Sequence, residues 1–305
     1  MNQVMPSDID FIVVGAEKSG TTWLAEMLWQ HPGIFVPRQK ELHYFNRQLD
    51  EAPEIENYNF NKPVGWYLRF YEEAPPGVKM GECCPAYLWD AAAPQRIHDF
   101  NPLVKIVMIL RNPVERFLSA YRYLAQRGVV TTSDFHVVLQ RHRELLLDRG
   151  AYHPQVRRYL DLFPPGQVRV YWFDDLRREA SSMLLDIEAF IGVEPFVPEN
   201  VNEEINVTQE PRSPWVSRML ARVKRFTRKY RLSVLIELAR SLGAAEWFTN
   251  MRYWNKQAKK PSKPPVVDTS SIDRQWLYDH YREDIEQLER LLQVDLTSWK
   301  SPSRT

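Results

Sequence analysis

Apolar and polar positions form two kinds of pattern along the chain, one typical of buried strands and one typical of amphipathic helices. Phe11–Val14 is an uninterrupted, largely β-branched apolar run, which is typical of a buried strand. After a stretch rich in Gly, Ser and Thr, the residues Leu24, Met27 and Leu28 recur at helical spacing. The chain is therefore predicted to begin with a strand, a loop and a helix.

The same two patterns continue along most of the chain. Further strands are predicted at 34–36, 78–82, 104–110 and 167–173, and further helices at 66–71, after Pro113, at 134–147, around Val156, at 178–191 and at 271–292. Strands that alternate with helices are typical of an α/β fold with a central, mostly parallel sheet flanked by helices. Because 305 residues can bury a large core, we expect one domain over residues 1–305.

The net charge of +1 predicts no nucleic-acid partner, but this average hides a local asymmetry. Residues 212–260 contain thirteen Lys and Arg against two acidic residues, with aromatic residues interspersed. Within 193–265 we therefore predict a basic, aromatic-rich lid or acceptor-binding segment that contacts an acidic acceptor or a membrane surface. The alternative is a solvated basic helical face packed by its aromatic residues.

The two cysteines, Cys83 and Cys84, are adjacent, which excludes a disulfide framework and gives no metal-ligand spacing. The first ten residues lack a basic start and an apolar run of signal length, and no apolar stretch approaches ~18 residues. We expect a cytoplasmic protein that needs no metal. Oligomeric state is not predicted from this pattern.

The loop after the first strand, Gly15–Thr22, has the composition of a phosphate-binding loop. Its glycines let backbone N–H groups turn inward, and the following helix adds positive potential at its N-terminus. In a nucleotide triphosphatase, a lysine follows the second glycine. Here Thr21 takes that position, and Lys18 comes before Gly20. The alternative is a glycine-rich turn with a solvated lysine.

The string Lys18–Trp23 resembles the loop of sulfotransferases that use 3′-phosphoadenosine-5′-phosphosulfate (PAPS), in particular the cytosolic type. The resemblance implies a P-loop-like sulfotransferase fold and a loop that grips the 5′-phosphosulfate of PAPS, whose spent form is PAP. The residues implied in donor binding are Lys18, Ser19, Gly20, Thr21 and Thr22. Trp23 is implied to stack on the adenine, with a core position beside Leu24 as the alternative.

The string Lys40–Phe45 resembles the Lys-Glu-x-His-Phe-Phe segment of heparan-type carbohydrate sulfotransferases, whose glutamate acts as a base. By this match Glu41 is the candidate catalytic base and His43 a second candidate. A carboxylate removes a hydroxyl proton best when partial burial raises its pKa, and the two aromatic residues that follow His43 are expected to supply that burial. The alternative for Glu41 is a solvated acid paired with Lys40 or Arg38.

Two later strings extend the resemblance. Glu82–Tyr87 is similar to the heparan-type Glu-Lys-Ser/Thr-Pro-x-Tyr, but Cys83 stands where that lysine is found. Arg111, which opens an Arg-Asn-Pro string, and Ser119 resemble the family's 3′-phosphate site, in which Arg111 offers charge-assisted hydrogen bonds. An arginine at the start of a helix is the alternative reading of Arg111.

The resemblance implies in-line transfer of a sulfuryl group from PAPS to an acceptor hydroxyl. In this reading Glu41 takes the acceptor proton and Lys18 stabilises the leaving phosphate. A carbohydrate acceptor is expected first, and a lipid or a small alcohol or phenol is the alternative. Two other classes remain as alternatives, a P-loop nucleotide kinase and a non-catalytic protein that binds a nucleotide or a polyanion.

Overall fold

The computed structural model describes residues 4–49, 52–203 and 268–302. The basic segment 212–260, and most of the predicted lid at 193–265, lie outside the described residues. The lid and its acidic or membrane partner therefore stay predictions.

A five-stranded, all-parallel sheet carries the fold, in the order β2-β5-β1-β6-β7. A separate antiparallel pair is formed by β3 and β4. The strand bounds are β1 Ile9–Gly15, β2 Ile34–Phe35, β3 Gln48–Leu49, β4 Ala52–Glu56, β5 Lys79–Cys83, β6 Lys105–Leu110 and β7 Val168–Trp172. The predicted α/β fold with a parallel central sheet is thus confirmed.

Helices connect the strands of this sheet. Their bounds are α1 Thr21–Gln30, α2 Val64–Leu68, α3 Ala86–Trp89, α4 Ala93–Phe100, α5 Pro113–Gln126, α6 Phe135–Leu146, α7 Tyr152–Leu160, α8 Phe173–Ile191 and α9 Arg274–Leu292. The sequence did not predict α3, α4 or the β3–β4 pair, because segments this short show little periodicity. Among the helices of the described ranges, none has the length and apolar character needed to cross a membrane.

Burial explains why β1 lies at the centre of the sheet. Its residues from Phe11 to Val14 are fully buried, with β5 on one side and β6 on the other. Leu24 and Leu28 of α1 are fully buried in one cluster with Ile187 of α8, and each such side chain contributes about 1.5–3 kcal/mol of hydrophobic stabilisation. This packing fixes the loop between β1 and α1 at the carboxyl edge of the sheet, where α/β proteins bind ligands.

The chain divides into two compact units. The first comprises Met1–Phe117, His142–Ile205 and Asp273–Thr305, and it contains the parallel sheet and the predicted phosphate-binding loop. The second comprises Leu118–Arg141 and Asn206–Ile272. A single domain over residues 1–305 stays a prediction.

Candidate active site

The predicted phosphate-binding loop joins β1 to α1. Gly20 is the N-cap of α1 with φ of 92°, and a Cβ at this position would lie 2.5 Å from Leu176 Cδ2 in α8. Only glycine fits both the backbone and the available space. Thr21 and Thr22 lie in the first turn of α1, whose N–H groups have no acceptor within the helix. The loop thus brings a helix N-terminus, which favours anions, to the carboxyl edge of the sheet.

Backbone conformation links the three residues predicted to be catalytic. Lys18, Glu41 and His43 have φ values of 68°, 60° and 53°. In the described part of the chain the one other non-glycine residue with positive φ is Gln293, the C-cap of α9. A left-handed backbone costs about 1–2 kcal/mol for a residue with a Cβ, and such residues cluster at functional sites. The shared conformation supports treating the three residues as one site.

Glu41 and His43 lie beside each other just past the sheet edge. Glu41 Oε2 is 3.9 Å from His43 Nε2, and His43 Nδ1 is 3.6 Å from Sγ of Cys84, which follows β5. Tyr44 and Phe45 pack edge to face at 4.9 Å between ring centroids, and both are buried. The Glu41 side chain nevertheless keeps 36% of its surface exposed. Its carboxylate therefore remains accessible to an incoming molecule.

Lys40 lies between Glu41 and the loop, a contact that sequence reasoning treated only as a surface pair. Its Nζ donates a hydrogen bond of 2.5 Å to Thr22 Oγ1 and lies 3.6 Å from Glu41 Oε1. The Lys40 side chain is only 19% exposed. The pairing named as the alternative for Glu41 is therefore present, but it extends to the predicted donor loop. The signal in the sequence was the position of Lys40 next to the candidate base.

A buried carboxylate holds the segment that carries Glu41. Glu82 of β5 accepts hydrogen bonds from the backbone N–H of Leu42 at 3.0 Å, from the Tyr67 hydroxyl at 2.8 Å and from the Tyr87 hydroxyl at 3.0 Å. Burial raises the pKa of Glu82 to about 7, and these three donors oppose the rise. The resemblance gave Glu82 no role, because nothing in its local sequence shows that it is buried.

Arg111 follows β6 and reaches back to the same loop. Its Nη1 donates to the Lys18 carbonyl at 3.3 Å, and its guanidinium lies 4.5 Å from the centre of the Phe173 ring. Glu115 Oε2 is 3.8 Å from its other terminal nitrogen. Burial lowers the pKa of Arg111, although an arginine remains charged at neutral pH. The Phe173 ring provides a face for this cation.

A second buried cation, Arg149, contacts the same loop. Arg149 Nη1 donates to Glu17 Oε2 at 2.9 Å, and its guanidinium lies 3.9 Å from the centre of the Trp89 ring. Burial acts to raise the pKa of Glu17, but the charges of Arg149, Arg116 and Lys18 outweigh it and hold that pKa below its usual value. Sequence reasoning missed this pair because its members lie 132 residues apart.

Two buried hydroxyls meet at the loop. The Ser19 hydroxyl interacts with the Tyr152 hydroxyl, although neither makes a hydrogen bond of regular geometry within the described residues. Burial raises the pKa of Tyr152, and Arg116 and Ser19 oppose that rise. A buried hydroxyl without a well-formed hydrogen bond costs about 1–3 kcal/mol. The oxygen of a bound anion next to Ser19 would remove that cost.

Trp23 and Ser119 are the two remaining residues predicted to bind PAPS. Trp23 is 5% exposed within the core cluster, and its indole N–H donates to the Val201 carbonyl at 2.9 Å. This burial and this hydrogen bond fit the core position named as the alternative, and stacking of the ring on an adenine stays a prediction. Ser119 lies in the part of α5 that belongs to the second unit, whereas Arg111 lies in the first. Their joint 3′-phosphate site stays a prediction.

A glycine-bounded loop between the central parallel strand and its helix, with cations and a carboxylate at the same sheet edge, defines a P-loop-like α/β protein. A family model described as a sulfotransferase domain matches residues 8–229, more than half of the chain. The chain therefore belongs to the sulfotransferase domain family.

Individual relatives agree with this assignment. Human bifunctional heparan sulfate N-deacetylase/N-sulfotransferase 3 is 27% identical over 205 residues, which cover 61% of this chain and 22% of that protein. Human heparan sulfate glucosamine 3-O-sulfotransferase 5 is 27% identical over 198 residues, covering 60% and 53%. The crystal structure of a sulfotransferase from Alicyclobacillus acidocaldarius is 25% identical, with a TM-score of 0.65 and coverage of 96% and 98%. The match thus spans from about a fifth to about half of the length of these two curated relatives.

Proposed function

We propose that the protein transfers a sulfuryl group from PAPS to a hydroxyl, or less readily an amine, of an acceptor. The observation that carries the proposal is the left-handed backbone shared by Lys18, Glu41 and His43, together with the Lys40 side chain that contacts both Glu41 and Thr22 of the loop. Each of these conformations costs stability, so its presence is explained best by a function.

The residues of the loop fit a donor that carries phosphate groups. The N-terminus of α1 and the buried Ser19 hydroxyl offer hydrogen-bond donors, and Lys18 adds a positive charge to the same loop. In the proposed complex, backbone N–H groups from Ser19 to Thr22 hold the 5′-phosphate, and Arg111 with Ser119 holds the 3′-phosphate. The contact between Arg111 and the Lys18 carbonyl supports a common site for the two phosphates.

PAPS supplies an activated sulfuryl group through its mixed anhydride. Glu41 accepts the proton of the acceptor hydroxyl, and His43, whose Nε2 is 3.9 Å from its carboxylate, supports its orientation. Lys18 stabilises the negative charge that develops on the leaving phosphate oxygen, together with the N-terminus of α1. Preorganised charges of this kind usually contribute more to an enzyme's rate enhancement than any other single effect.

We propose a carbohydrate as the first acceptor class. The Lys40–Phe45 string and the heparan sulfate enzymes among the relatives support this choice. Cys83 differs from the lysine of those enzymes, and burial raises the pKa of its thiol to about 12, so that it is neutral at physiological pH. A lipid or a small alcohol or phenol remains the alternative acceptor.

Titration calorimetry with PAP in the absence of magnesium tests the donor site. We expect micromolar binding, about −8 kcal/mol, by the wild type and by Lys62→Ala, an exposed lysine used as control. Lys18→Ala and Arg111→Ala should each weaken binding by at least about tenfold, because a charge-assisted hydrogen bond contributes about 1.5–3 kcal/mol. Binding of ATP with Mg²⁺, and not of PAP, would favour the kinase alternative and refute the proposal.

Turnover separates an enzyme from a binding protein. With PAPS and a panel of heparan-type oligosaccharides, we expect transfer by the wild type and a loss of about 10²–10⁴ in kcat for Glu41→Gln, the usual contribution of a general base. PAP affinity of this variant should be unchanged. Nucleotide binding without transfer to any carbohydrate, lipid, alcohol, phenol or amine would leave the non-catalytic alternative.

A further inference from the structure

Lys40 contacts both the loop predicted to bind PAPS and Glu41, the proposed base. Its ammonium donates to Thr22 Oγ1 in the first turn of α1 and also pairs with the Glu41 carboxylate. An ammonium has three N–H donors, so these two contacts leave capacity for one more acceptor. One side chain thus links a residue predicted to hold the donor to the residue predicted to accept the proton.

The location of this ammonium is unfavourable for folding alone. Thr22 lies at the N-terminus of α1, where the helix dipole disfavours a cation, and Lys18 adds another positive charge to the same loop. Lys40 is also largely covered, with 19% of its side chain exposed. A partly exposed ion pair with Glu41 returns little stability. The arrangement is therefore better explained by function than by stability.

The ammonium also places a positive charge near the cysteine that stands in the position of a lysine. Burial raises the pKa of the Cys83 thiol, and the positive charge of Lys40 opposes that rise. Cys83 occupies the place of the lysine in the Glu-Lys-Ser/Thr-Pro-x-Tyr string. Lys40 thus supplies a positive charge to the neighbourhood of Cys83 from the adjoining segment.

We propose that Lys40 is a positioning residue that ties Glu41 to the donor loop through Thr22. This inference rests on the proposed function and names a residue of the same site. Glu41 is partly exposed and has a left-handed backbone, so its carboxylate needs an external contact to hold one orientation. A misplacement of about 1 Å costs on the order of 100-fold in rate. The Lys40 ammonium supplies that contact and is itself anchored to Thr22 in the first turn of α1.

The first test measures positioning without turnover. Amide hydrogen exchange of residues 38–46 is compared among the wild type, Lys40→Met and the control Lys62→Met, all without nucleotide. Lys40→Met should exchange faster over 38–46, whereas Lys62→Met should match the wild type. Unchanged exchange in Lys40→Met would overturn the proposal, because the segment would then be held without Lys40.

The second test measures the consequence for transfer. Lys40→Met should lower kcat by about 30- to 100-fold and change the KM for PAPS and the affinity for PAP by less than about threefold, because the donor keeps Lys18 and the loop. Lys40→Cys treated with 2-bromoethylamine regains an ammonium at this position and should recover most of the lost kcat. Cys83 and Cys84 are buried, and wild type treated in the same way controls for their alkylation.

The two tests distinguish the possible failures. If Lys40→Met exchanges faster but keeps the wild-type kcat, the proposal is overturned, because the contact of Lys40 would then be structural and without effect on transfer. Loss of PAP affinity in step with kcat would also overturn it, since Lys40 would then bind the donor. If the wild type transfers no sulfuryl group, the proposed function fails, while faster exchange in Lys40→Met still supports the tie between Lys40 and the segment of Glu41.

Discussion

The buried carboxyl group of Glu82 gives a pH dependence of stability that can be worked out in advance. Burial raises its pKa to about 7 from the ordinary value of 4.5. Between these two values the folded protein binds more protons than the unfolded chain, so the free energy of unfolding falls as the pH rises. At about 1.4 kcal/mol per pH unit, the difference between 4.5 and 7 corresponds to about 3 kcal/mol.

The perturbation is Glu82→Gln. Glutamine keeps the shape of the side chain and one acceptor oxygen, but it does not ionise. The stabilising effect of the protonated carboxyl is present below pH 4.5 and is lost as the pH rises through 7. From pH 5 to pH 8, the free energy of unfolding of the wild type should therefore fall relative to that of Glu82→Gln by about 2–3 kcal/mol. Asp284, whose pKa burial raises to about 6, titrates in both proteins and cancels in the difference.

Urea denaturation followed by tryptophan fluorescence at pH 5, 6, 7 and 8 measures this difference. The slope with urea must be equal in the two proteins, because a changed slope would indicate a changed unfolded state. A difference that stays flat within about 0.5 kcal/mol across this range would refute the reasoning. It would mean that Glu82 is hydrated or that its three hydrogen-bond donors fully compensate its burial.

Two further predictions concern the loop. Gly20→Ala should lower the free energy of unfolding by more than about 2 kcal/mol, because it adds a clash with Leu176 to a φ of 92°. Gly77→Ala, with φ of 81° and open space, should show the backbone cost alone, and equal effects in urea denaturation would contradict the role of the clash. A double-mutant cycle of Glu17→Gln and Arg149→Met should give a coupling of about 1–2 kcal/mol, reduced from that of a fully buried pair because Glu17 is 30% exposed. Additive effects would mean that the pair does not hold the loop.

The sequence predicts most of the fold because strong local signals carry it. The apolar run at Phe11–Val14 is fully buried in β1, and the helix predicted after Pro113 begins at that residue. The helix predicted from Arg178 begins five residues earlier, at Phe173, because the first turn contains acidic residues that favour a helix N-terminus but no apolar repeat. The apolar face of a helix is visible in the sequence pattern, whereas a helix end that depends on capping is only weakly visible there.

The candidate site likewise contains residues that local motifs indicate and contacts that only the fold creates. Lys18, Glu41 and Arg111 could be named as candidates because each stands in a short string with a recognisable form. The bridge from Lys40 to the loop and the pair formed by Arg149 depend on distances that only folding creates. No local pattern reports which charged residues the tertiary structure will bring together, and the same limit applies to the burial of Trp23.

The left-handed backbones of Glu41 and His43 set the activity of the protein against its durability. These residues flank Leu42, which is fully buried and held by Glu82 from one side and by the Asn59 side-chain amide from the other. Glycine adopts this backbone more easily than glutamate or histidine. A selection for heat resistance alone should therefore enrich glycine at both positions and yield hardier proteins that have lost the proposed base. Stabilisation campaigns on this chain should hold residues 41 and 43 fixed and seek their gains elsewhere.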